Sequence, residues 1–218
     1  MTKQERLEKQ KSDLENKKKF DAQFKTDENH FVAGVDEVGR GPLAGPVCAC
    51  AIVLPDDFDI LGIDDSKKVT EKRRNELYEQ IIDSCLAYGI GMADNEKIDE
   101  INILEATKLA MKEAILSANK MLIDRKGEGI QHVMFDAIKL DDIPFGQTSI
   151  IKGDSKSLAI GAASIIAKVT RDNLMIEYSK KYPGYAFESN KGYGTKAHYE
   201  GIEENGLTPI HRRSFLSK

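Results

Sequence analysis

Four acidic residues adjoin apolar stretches of the sequence, where uncompensated charge is unfavourable. Asp36 and Glu37 lie within FVAGVDEVGRGPLAGPVCACAIVLP, which begins at Phe31, while Asp136 and Asp154 end the runs HVMFD and TSIIKGD. Carboxylates a few ångströms apart repel each other, so a buried group of them becomes protonated unless cations neutralise it. Oxygen donors without nearby His or Cys suit Mg²⁺ or Mn²⁺ better than zinc. If the four acids converge, they predict a site for two such ions, an arrangement suited to displacement at a phosphodiester.

Five strand-like runs explain how these distant acids could meet. They are HFVAGVDEV, PVCACAIVL, LAYGIGMA, HVMFDAI and TSIIKGD, and the glycine-proline turn GRGPLAGP joins the first two. Because the carboxyl ends of parallel strands lie at one edge of a sheet, Asp36, Asp136 and Asp154 are expected to converge there. Strict alternation would aim Glu37 away from Asp36. Glu37 joins the same site only if the strand has already turned at that residue, which the spacing alone leaves open.

Three further patterns predict helices. One begins after Thr70, a second begins at Asn102 with a broad apolar face, and a third runs from about Ser157 to Tyr182. The third contains small residues that would let it lie close to a sheet, namely Gly161, Ala162, Ala163, Ser164 and Ala167. Helices before and after the last two strands indicate parallel pairing, and hence an α/β fold.

Length and composition indicate an ordinary globular chain. Its 218 residues are 40% hydrophobic and 31% charged, enough for one domain or one domain with an appendage. The sequence shows neither an apolar run of transmembrane length nor the apolar segment of a signal peptide, so we expect a cytoplasmic protein with no membrane contact. The three cysteines, Cys48, Cys50 and Cys85, are interpreted as reduced thiols of the core. A net charge of −4 means that a polyanionic partner would need local basic clusters and metal ions.

The glycines after Glu37 could instead suggest a phosphate-binding loop for a nucleotide. GVDEVGR has two glycines at the spacing of such a loop, but the Lys-Ser/Thr pair that should follow is missing. Gly39, Gly41 and Gly45 do not form GxGxxG before a helix. A nucleoside triphosphate or dinucleotide site is therefore not expected.

Six ordered blocks of the sequence resemble bacterial ribonuclease HII. They are AGVDEVGRGPLAGPV, DSKK, EINILEATKLAM, KGDSKSLAIGAASIIAKVTRD, NKGYGTKAH and HRRSF, and they span roughly residues 31–216. The resemblance implies a ribonuclease H-like fold, with a mixed five-stranded sheet flanked by helices and a small helical C-terminal region. It also implies that Asp36, Glu37, Asp136 and Asp154 are the catalytic metal ligands, for Mn²⁺ or Mg²⁺ with two ions acting during catalysis.

The same resemblance implies a substrate-binding set. Gly39, Arg40 and Gly41 would read the 2′-hydroxyl of a ribonucleotide, Tyr193 would lie against the sugar at the junction, and Lys67 would touch backbone phosphate. Two basic clusters are candidates to hold the duplex backbone: Lys67, Lys68, Lys72, Arg73 and Arg74, and then Lys191, Lys196, Arg212 and Arg213. Many members carry Gly after the third acid, where this chain has Ala137, and a small effect is expected.

These features predict a metal-dependent endoribonuclease. The resemblance implies cleavage 5′ of a ribonucleotide, in RNA/DNA hybrids and in duplex DNA with embedded ribonucleotides, leaving 3′-OH and 5′-phosphate ends. A ribonuclease HIII-like nuclease that needs ribonucleotide runs is the alternative enzyme, although HIII proteins carry a larger N-terminal domain and lack the GRG loop. A nucleic-acid-binding module without catalysis is the alternative outside enzymes, and it would gain by losing the four acids.

The chain divides into three predicted parts. Residues 1–28 form a mixed-charge extension, helical or frayed, with too few apolar anchors to be integral to the core, so deletion of residues 1–27 should leave the active core folded. Residues 29–182 form the catalytic core. Residues 183–218 form a helical cap, with one short helix ending at Gly206, which carries Tyr193. We expect the protein to be a monomer.

Overall fold

A mixed five-stranded sheet lies at the centre of the protein in the computed structural model, which describes residues 2–216. Residue 1 of the predicted extension and residues 217–218 of the predicted cap therefore lie outside the described residues. The strands are β1 (Val32–Val38), β2 (Val47–Val53), β3 (Ala87–Ala93), β4 (His132–Asp136) and β5 (Gly146–Ile150). They run in the order β3-β2-β1-β4-β5; β1, β2 and β3 pair antiparallel, and β1, β4 and β5 pair parallel. This confirms the predicted mixed sheet and its parallel half.

The three predicted helices are present, and the second begins earlier than predicted. Thr70 caps the first of them, as expected, and Ser157, the predicted start of the third, is its N-cap. The long helix starts at Asn95 and is interrupted at Asn102, where φ is 70°, and the Asn102 side chain accepts hydrogen bonds from the next turn. Asn102 thus begins the second part of this helix. The helices are α1 (Lys3–Ala22), α2 (Glu71–Ser84), α3 (Asn95–Lys126), α4 (Gly153–Lys156), α5 (Leu158–Lys181), α6 (Phe187–Asn190) and α7 (Lys196–Asn205), with a 3₁₀ turn at Arg213–Phe215.

Helices α5 and α3 cover opposite faces of the sheet. Glycine allows α5 to approach β1 closely, since a Cβ added at Gly34 would lie 2.3 Å from the carbonyl carbon of Ala159. The small residues predicted to permit this contact are all buried in α5. Its apolar face and that of α3 form the two main hydrophobic clusters, one on each side of the sheet. The three cysteines are free and buried, as predicted. In the described part of the chain, no helix has both the length and the apolar character of a membrane span.

The N-terminal segment is a helix that packs on the core. Leu14 is buried in the hydrophobic cluster beneath α5, Phe20 and Phe24 pack against the same cluster, and Phe24 stacks on His132 with ring centroids 6.0 Å apart. The segment therefore contacts the core through the apolar residues it has, and whether the core folds without it stays a prediction. Polar contacts, which apolar counting overlooks, add to its attachment, because Lys17 is also buried in the interface.

The C-terminal region contains more structure than the one predicted helix. Helix α7 ends at Asn205, with Gly206 as its C-cap at φ 76°, as expected. The one-turn helix α6 and the 3₁₀ turn were not predicted, and each is too short to show a hydrophobic period. Tyr185 and Phe187 stack at 5.3 Å and pack with Met175 of α5 in a third hydrophobic cluster. The region is thus joined to the core through α5.

Candidate active site

The first pair of acids lies within β1. Asp36 pairs with Cys50 and Glu37 with Ala49, and the ladder continues through Val38, so the strand has not turned at Glu37. Glu37 was expected to share the site with Asp36 only if the strand had turned at Glu37, and the backbone does not turn there. Alternation along the strand therefore places the two side chains on opposite sides. Asp136 nevertheless raises the pKa of both Asp36 and Glu37. One carboxylate on the neighbouring strand is thus close to both.

Strand register explains how Asp136 reaches this position. In the parallel pair, Val35 lies beside Phe135, so the next residues along the two strands, Asp36 and Asp136, are neighbours. The predicted convergence of these two acids at adjacent strand ends follows directly from this register.

Asp154 reaches the same edge by a different route from the one predicted. Strand β5 ends at Ile150, and Asp154 lies in the one-turn helix α4, so it does not end a strand. The prediction failed because Lys152 adopts a left-handed conformation, with φ 58°, and turns the chain back towards β4. The Gly153 N–H then donates a 2.9 Å hydrogen bond to Oδ1 of Asp136. Asp154 thus arrives beside Asp136 on a turn.

We call the four residues Asp36, Glu37, Asp136 and Asp154 the acid group. Crowding and burial make negative charge in this group unfavourable. Burial raises the pKa of Asp36 well above its usual value, and Glu37 and Asp136 raise it further. Burial also raises the pKa of Glu37, although the Arg40 guanidinium opposes this shift. The pKa of Asp154 is raised by burial, then by Asp65 and Asp136. A divalent cation between these carboxylates would offset their repulsion.

The donor set fits a hard metal ion. Carboxylate oxygens are the available ligands, and Oε2 of Glu37 is buried without a hydrogen-bond partner in the described part of the chain. Asp36 and Asp136 each use one oxygen to accept a backbone N–H, and the Ser164 hydroxyl also acts on Asp36. Within residues 2–216, no three His, Cys, Asp or Glu side chains are already grouped to hold an ion. The four-acid metal site stays a prediction.

The GRG loop, Gly39–Gly41, packs against two buried arginines, Arg171 and Arg212. Gly39 has φ 90°, and a Cβ added there would lie 2.2 Å from Nε of the buried Arg171, so both conformation and space require glycine. The backbone carbonyls of Gly39 and Arg40 accept hydrogen bonds from the buried Arg212. The side chain of Arg40 is exposed and lies 3.3 Å from Oε1 of Glu37. The loop is thus held by hydrogen bonds on the side that faces the protein, and it is exposed to solvent on the side that carries the Arg40 side chain.

Tyr193 lies over this loop. A Cβ placed on Gly41 would lie 3.5 Å from Cε1 of the Tyr193 ring, whose residue remains 43% exposed. Its carbonyl accepts a 2.9 Å hydrogen bond from Nδ1 of His198, when that nitrogen carries the proton. The structure therefore brings together two of the predicted substrate-binding groups. Lys67 is exposed on the turn before α2, where its N–H donates to Asp65. The substrate roles of all these residues stay predictions.

Part of the predicted phosphate-binding surface is instead structural. Arg212 is fully buried among backbone carbonyls, Lys191 is buried and donates to the Glu188 carbonyl, and Arg74 donates to two carbonyls of its own turn. Burial removes Arg212 and Lys191 from the predicted phosphate-binding surface, and its two carbonyl contacts hold the Arg74 guanidinium against the protein. The residues of the two clusters that remain exposed are Lys67, Lys68, Lys72, Lys196 and Arg213.

Sequence reasoning missed three polar residues around the acids. Asp65 raises the pKa of Asp154, the Ser155 hydroxyl donates to Asp154 at 3.3 Å, and the Ser164 hydroxyl lowers the pKa of Asp36 against the larger effect of burial. Ser164 was interpreted only as a small residue for packing. All three lie in the blocks DSKK and KGDSKSLAIGAAS, which were the available signal.

Ala137 follows the third acid in a left-handed conformation, with φ 59°. Glycine adopts this conformation freely, whereas alanine pays a cost of about 1 kcal/mol. This explains why glycine suits the position and why the small residue Ala137 is tolerated there at a cost.

Comparison with known proteins identifies the family. A sequence model described as Ribonuclease HII matches residues 33–218. A Ribonuclease HII from Ligilactobacillus salivarius (strain UCC118) is 50% identical over 211 residues, covering 96% of this chain and 79% of that protein.

Solved structures share the fold. Ribonuclease H2 from Pyrococcus horikoshii OT3 has a TM-score of 0.66 and 29% identity, covering 84% of this chain and 93% of that chain. A chain of the PCNA:RNase HII complex from Archaeoglobus fulgidus has a TM-score of 0.64 and 25% identity, with the same coverage. Bst-RNase HIII in complex with Mn²⁺, at 18% identity and TM-score 0.57, shows the fold alone, covering 85% of this chain and 64% of that one. The predicted ribonuclease H-like fold and nuclease class are confirmed, and this chain belongs to the ribonuclease HII family of metal-dependent ribonuclease H type 2 endonucleases.

Proposed function

We propose that this protein hydrolyses the phosphodiester 5′ of a ribonucleotide, in RNA/DNA hybrids and in duplex DNA with embedded ribonucleotides. The products would carry 3′-OH and 5′-phosphate ends. The observation that carries this proposal is the juxtaposition of an acid group around Asp136 with the loop Gly39–Gly41 and Tyr193. Chemistry and ribose recognition would then occur side by side.

Asp36, Glu37, Asp136 and Asp154 would hold two Mg²⁺ or Mn²⁺ ions. Such a pair, when bound, supplies an activated water and stabilisation of the leaving oxygen. Asp36 and Asp136 would offer the carboxylate oxygens that their backbone hydrogen bonds leave available, and Glu37 would offer its unpaired buried Oε2. Arg40 would limit the negative charge at Glu37 before a phosphate arrives.

The GRG loop would recognise the ribose. Only a 2′-hydroxyl distinguishes a ribonucleotide from its deoxy neighbour, and backbone groups of a glycine-containing turn can approach it closely. Arg212 fixes the carbonyls of Gly39 and Arg40, so the loop is ordered before substrate binds. The exposed ring of Tyr193 lies over Gly41 and would contact the sugar. Sequence readout is not required.

The test is Asp136→Asn on a duplex that contains one ribonucleotide. Asn keeps the acceptor for the Gly153 N–H but removes the charge, so we expect an intact fold and an unchanged or higher melting temperature. Cleavage should fall at least ~100-fold, because even changes to groups that only orient metal ligands cost 10- to 100-fold. Cleavage by the wild type should require Mg²⁺ or Mn²⁺ and stop with EDTA.

Asp141→Asn is the matched control, since Asp141 is an exposed acid in the connection between β4 and β5. It should cut like the wild type. Near-normal turnover by Asp136→Asn at saturating Mg²⁺ would contradict the four-acid site. A wild type that binds the duplex without cutting would favour the binding-module alternative, and one that cuts only ribonucleotide runs would favour the HIII-like alternative.

A further inference from the structure

The N-terminal helix reaches the loop before α2 through a buried lysine. Lys17 of α1 donates a 2.8 Å hydrogen bond to the carbonyl of Ile63, and its Nζ lies 3.3 Å from Oδ1 of Asp64. An ammonium buried in this way requires partners, because an unpaired buried charge is costly. Lys17 is therefore held in one place, and it holds the Ile63–Asp64 backbone in return.

The contacts continue from this loop to the acid group. Nζ of Lys68 lies 3.5 Å from the same Asp64 oxygen and donates a 2.9 Å hydrogen bond to Oγ of Ser155. The Ser155 hydroxyl in turn donates to Oδ1 of Asp154 at 3.3 Å. An unbroken series of polar contacts thus runs from α1 to one of the four acids. We call these residues the Lys17 relay: Lys17, Asp64, Lys68, Ser155 and Asp154.

The charge of Asp64 supports this arrangement. Burial works in the opposite direction, yet the Asp65 N–H and the cations Lys17 and Lys68 lower the pKa of Asp64. An ionised Asp64 between two ammonium groups fixes both of them. Because Lys68 is exposed, its direction towards Ser155 depends on such partners.

Asp154 needs external positioning because α4 is only one turn long. A single helical turn has little stability of its own, and its preceding residue, Lys152, is in a left-handed conformation. The contacts that orient Asp154 must therefore come from neighbouring elements.

We propose that Lys17 is a positioning residue for the reaction, acting on Asp154 through Asp64, Lys68 and Ser155. This rests on the proposed function, in which Asp154 is a metal ligand. It assigns the N-terminal helix, which lies outside the matched family region, to preorganisation of the metal site. Side chains that orient metal ligands are themselves part of such a site.

The first experiment measures Mn²⁺ affinity by calorimetry for Lys17→Met. Met keeps an unbranched apolar stem for the interface and removes the donor. We expect about tenfold weaker Mn²⁺ binding, and a cleavage rate that is low at limiting Mn²⁺ and recovers at high Mn²⁺, with substrate KM unchanged. Lys17→Arg, which restores a donor, should recover part of the affinity. Lys11→Met, an exposed lysine of the same helix, should match the wild type.

A double-mutant cycle separates positioning from general stability. If Lys17 acts through Ser155, then Lys17→Met combined with Ser155→Ala should weaken Mn²⁺ binding no more than the larger single change. Additive losses of Mn²⁺ affinity in the double variant would overturn the proposal. Mn²⁺ binding by Lys17→Met that equals that of Lys11→Met would also overturn it, even if the melting temperature of Lys17→Met falls. Should Lys17→Met not fold, the same cycle with Asp64→Asn, at a half-exposed position, applies.

Failure of the proposed function would look different. In that case, wild type and Asp136→Asn would bind Mn²⁺ equally, a result that overturns the proposed metal site and the relay together. A wild type that binds Mn²⁺ more tightly than Asp136→Asn, together with an additive cycle, would overturn the relay alone.

Discussion

At the scale of single residues, recognition and chemistry are carried by different groups. The ring of Tyr193 lies over Gly41, whereas the carboxylates cluster around Asp136. The contacts that place Tyr193 are with Gly41 of the loop and, through its carbonyl, with His198. Its substitution should therefore affect substrate placement and leave metal binding unchanged.

Tyr193→Ala tests this separation. Loss of the ring should misplace the scissile phosphate and lower the rate on a single embedded ribonucleotide by on the order of 10²-fold. Tyr193→Phe keeps the ring and should fall between wild type and Ala. The three proteins should be compared on a duplex with one ribonucleotide and on one with a ribonucleotide run, with Mn²⁺ affinity measured in parallel.

Two results would argue against a recognition role. Wild-type rates from Tyr193→Ala on both duplexes would leave the ring with a packing role. A matching loss of Mn²⁺ affinity would mean that Tyr193 supports the acid group, and the carbonyl bond to His198 would be the first contact to examine.

At the scale of elements, α1 is attached to the core by hydrogen bonds as well as by apolar contact. Asp21, near its C-terminal end, accepts a 3.0 Å hydrogen bond from the Ala159 N–H in the first turn of α5. A carboxylate at a helix N-terminus interacts favourably with the unpaired N–H groups there. Its other oxygen, Oδ1, is buried without a hydrogen-bond partner among the described residues. Burial is the larger effect and raises the pKa of Asp21 to about 6, against hydrogen bonds from Ser157 and Ala159.

This shift predicts a pH-dependent stability. In the unfolded chain Asp21 titrates near 3.8, so between about pH 4 and 6 the folded protein binds the extra proton. The contribution of Asp21 is therefore most favourable below pH 4 and is lost as pH rises towards 6. Asp21→Asn keeps an acceptor for Ala159 without the charge. Its melting temperature should exceed that of the wild type by a few degrees at pH 7 and by little at pH 4.

Comparing variant with wild type at each pH cancels the titration of the other acids. Asp13→Asn, at an exposed position of α1, serves as the control and should show no such trend. An Asp21→Asn protein that is less stable than the wild type at pH 7 would show that the ionised carboxylate stabilises α5 more than burial costs.

At the scale of the whole molecule, two buried arginines join the C-terminal region to the core. Arg171 of α5 donates to the carbonyls of Pro46, Lys191 and Ala44. Arg212 donates to those of Gly45, Arg40 and Gly39. The turn between β1 and β2, the cap that carries Tyr193, and α5 are thus held in one arrangement. The relative position of loop and tyrosine depends on these bonds.

Arg212→Lys should disrupt this arrangement although the charge is kept. A lysine cannot reach three carbonyls in different directions, and each buried acceptor left without a donor is costly. We expect the free energy of unfolding to fall by about 3 kcal/mol in denaturant titrations. Arg213→Lys, at the exposed neighbouring position, should change it by less than about 0.5 kcal/mol. Equal stability of the two variants would contradict the structural role of Arg212.

The sequence by itself determined the main elements of the fold and the family. Runs rich in Val, Ile and Ala predicted the strands, and the capping residue Thr70 predicted where a helix begins, because these signals are local. Acids beside apolar runs predicted a polar site, and ordered motifs indicated the family. Each of these inferences depends on residues that are close together in the chain.

Only the tertiary structure decided which of these residues meet and which charges are already used. Asp154 reaches Asp136 because Lys152 adopts a left-handed conformation. Arg212 donates a hydrogen bond to the carbonyl of Gly45, which lies 167 positions away in the chain. Lys17 lies 46 residues from its acceptor Ile63. Such contacts leave no periodic trace, because the free energy of a buried ion or a turned backbone depends on partners that the fold brings from distant segments.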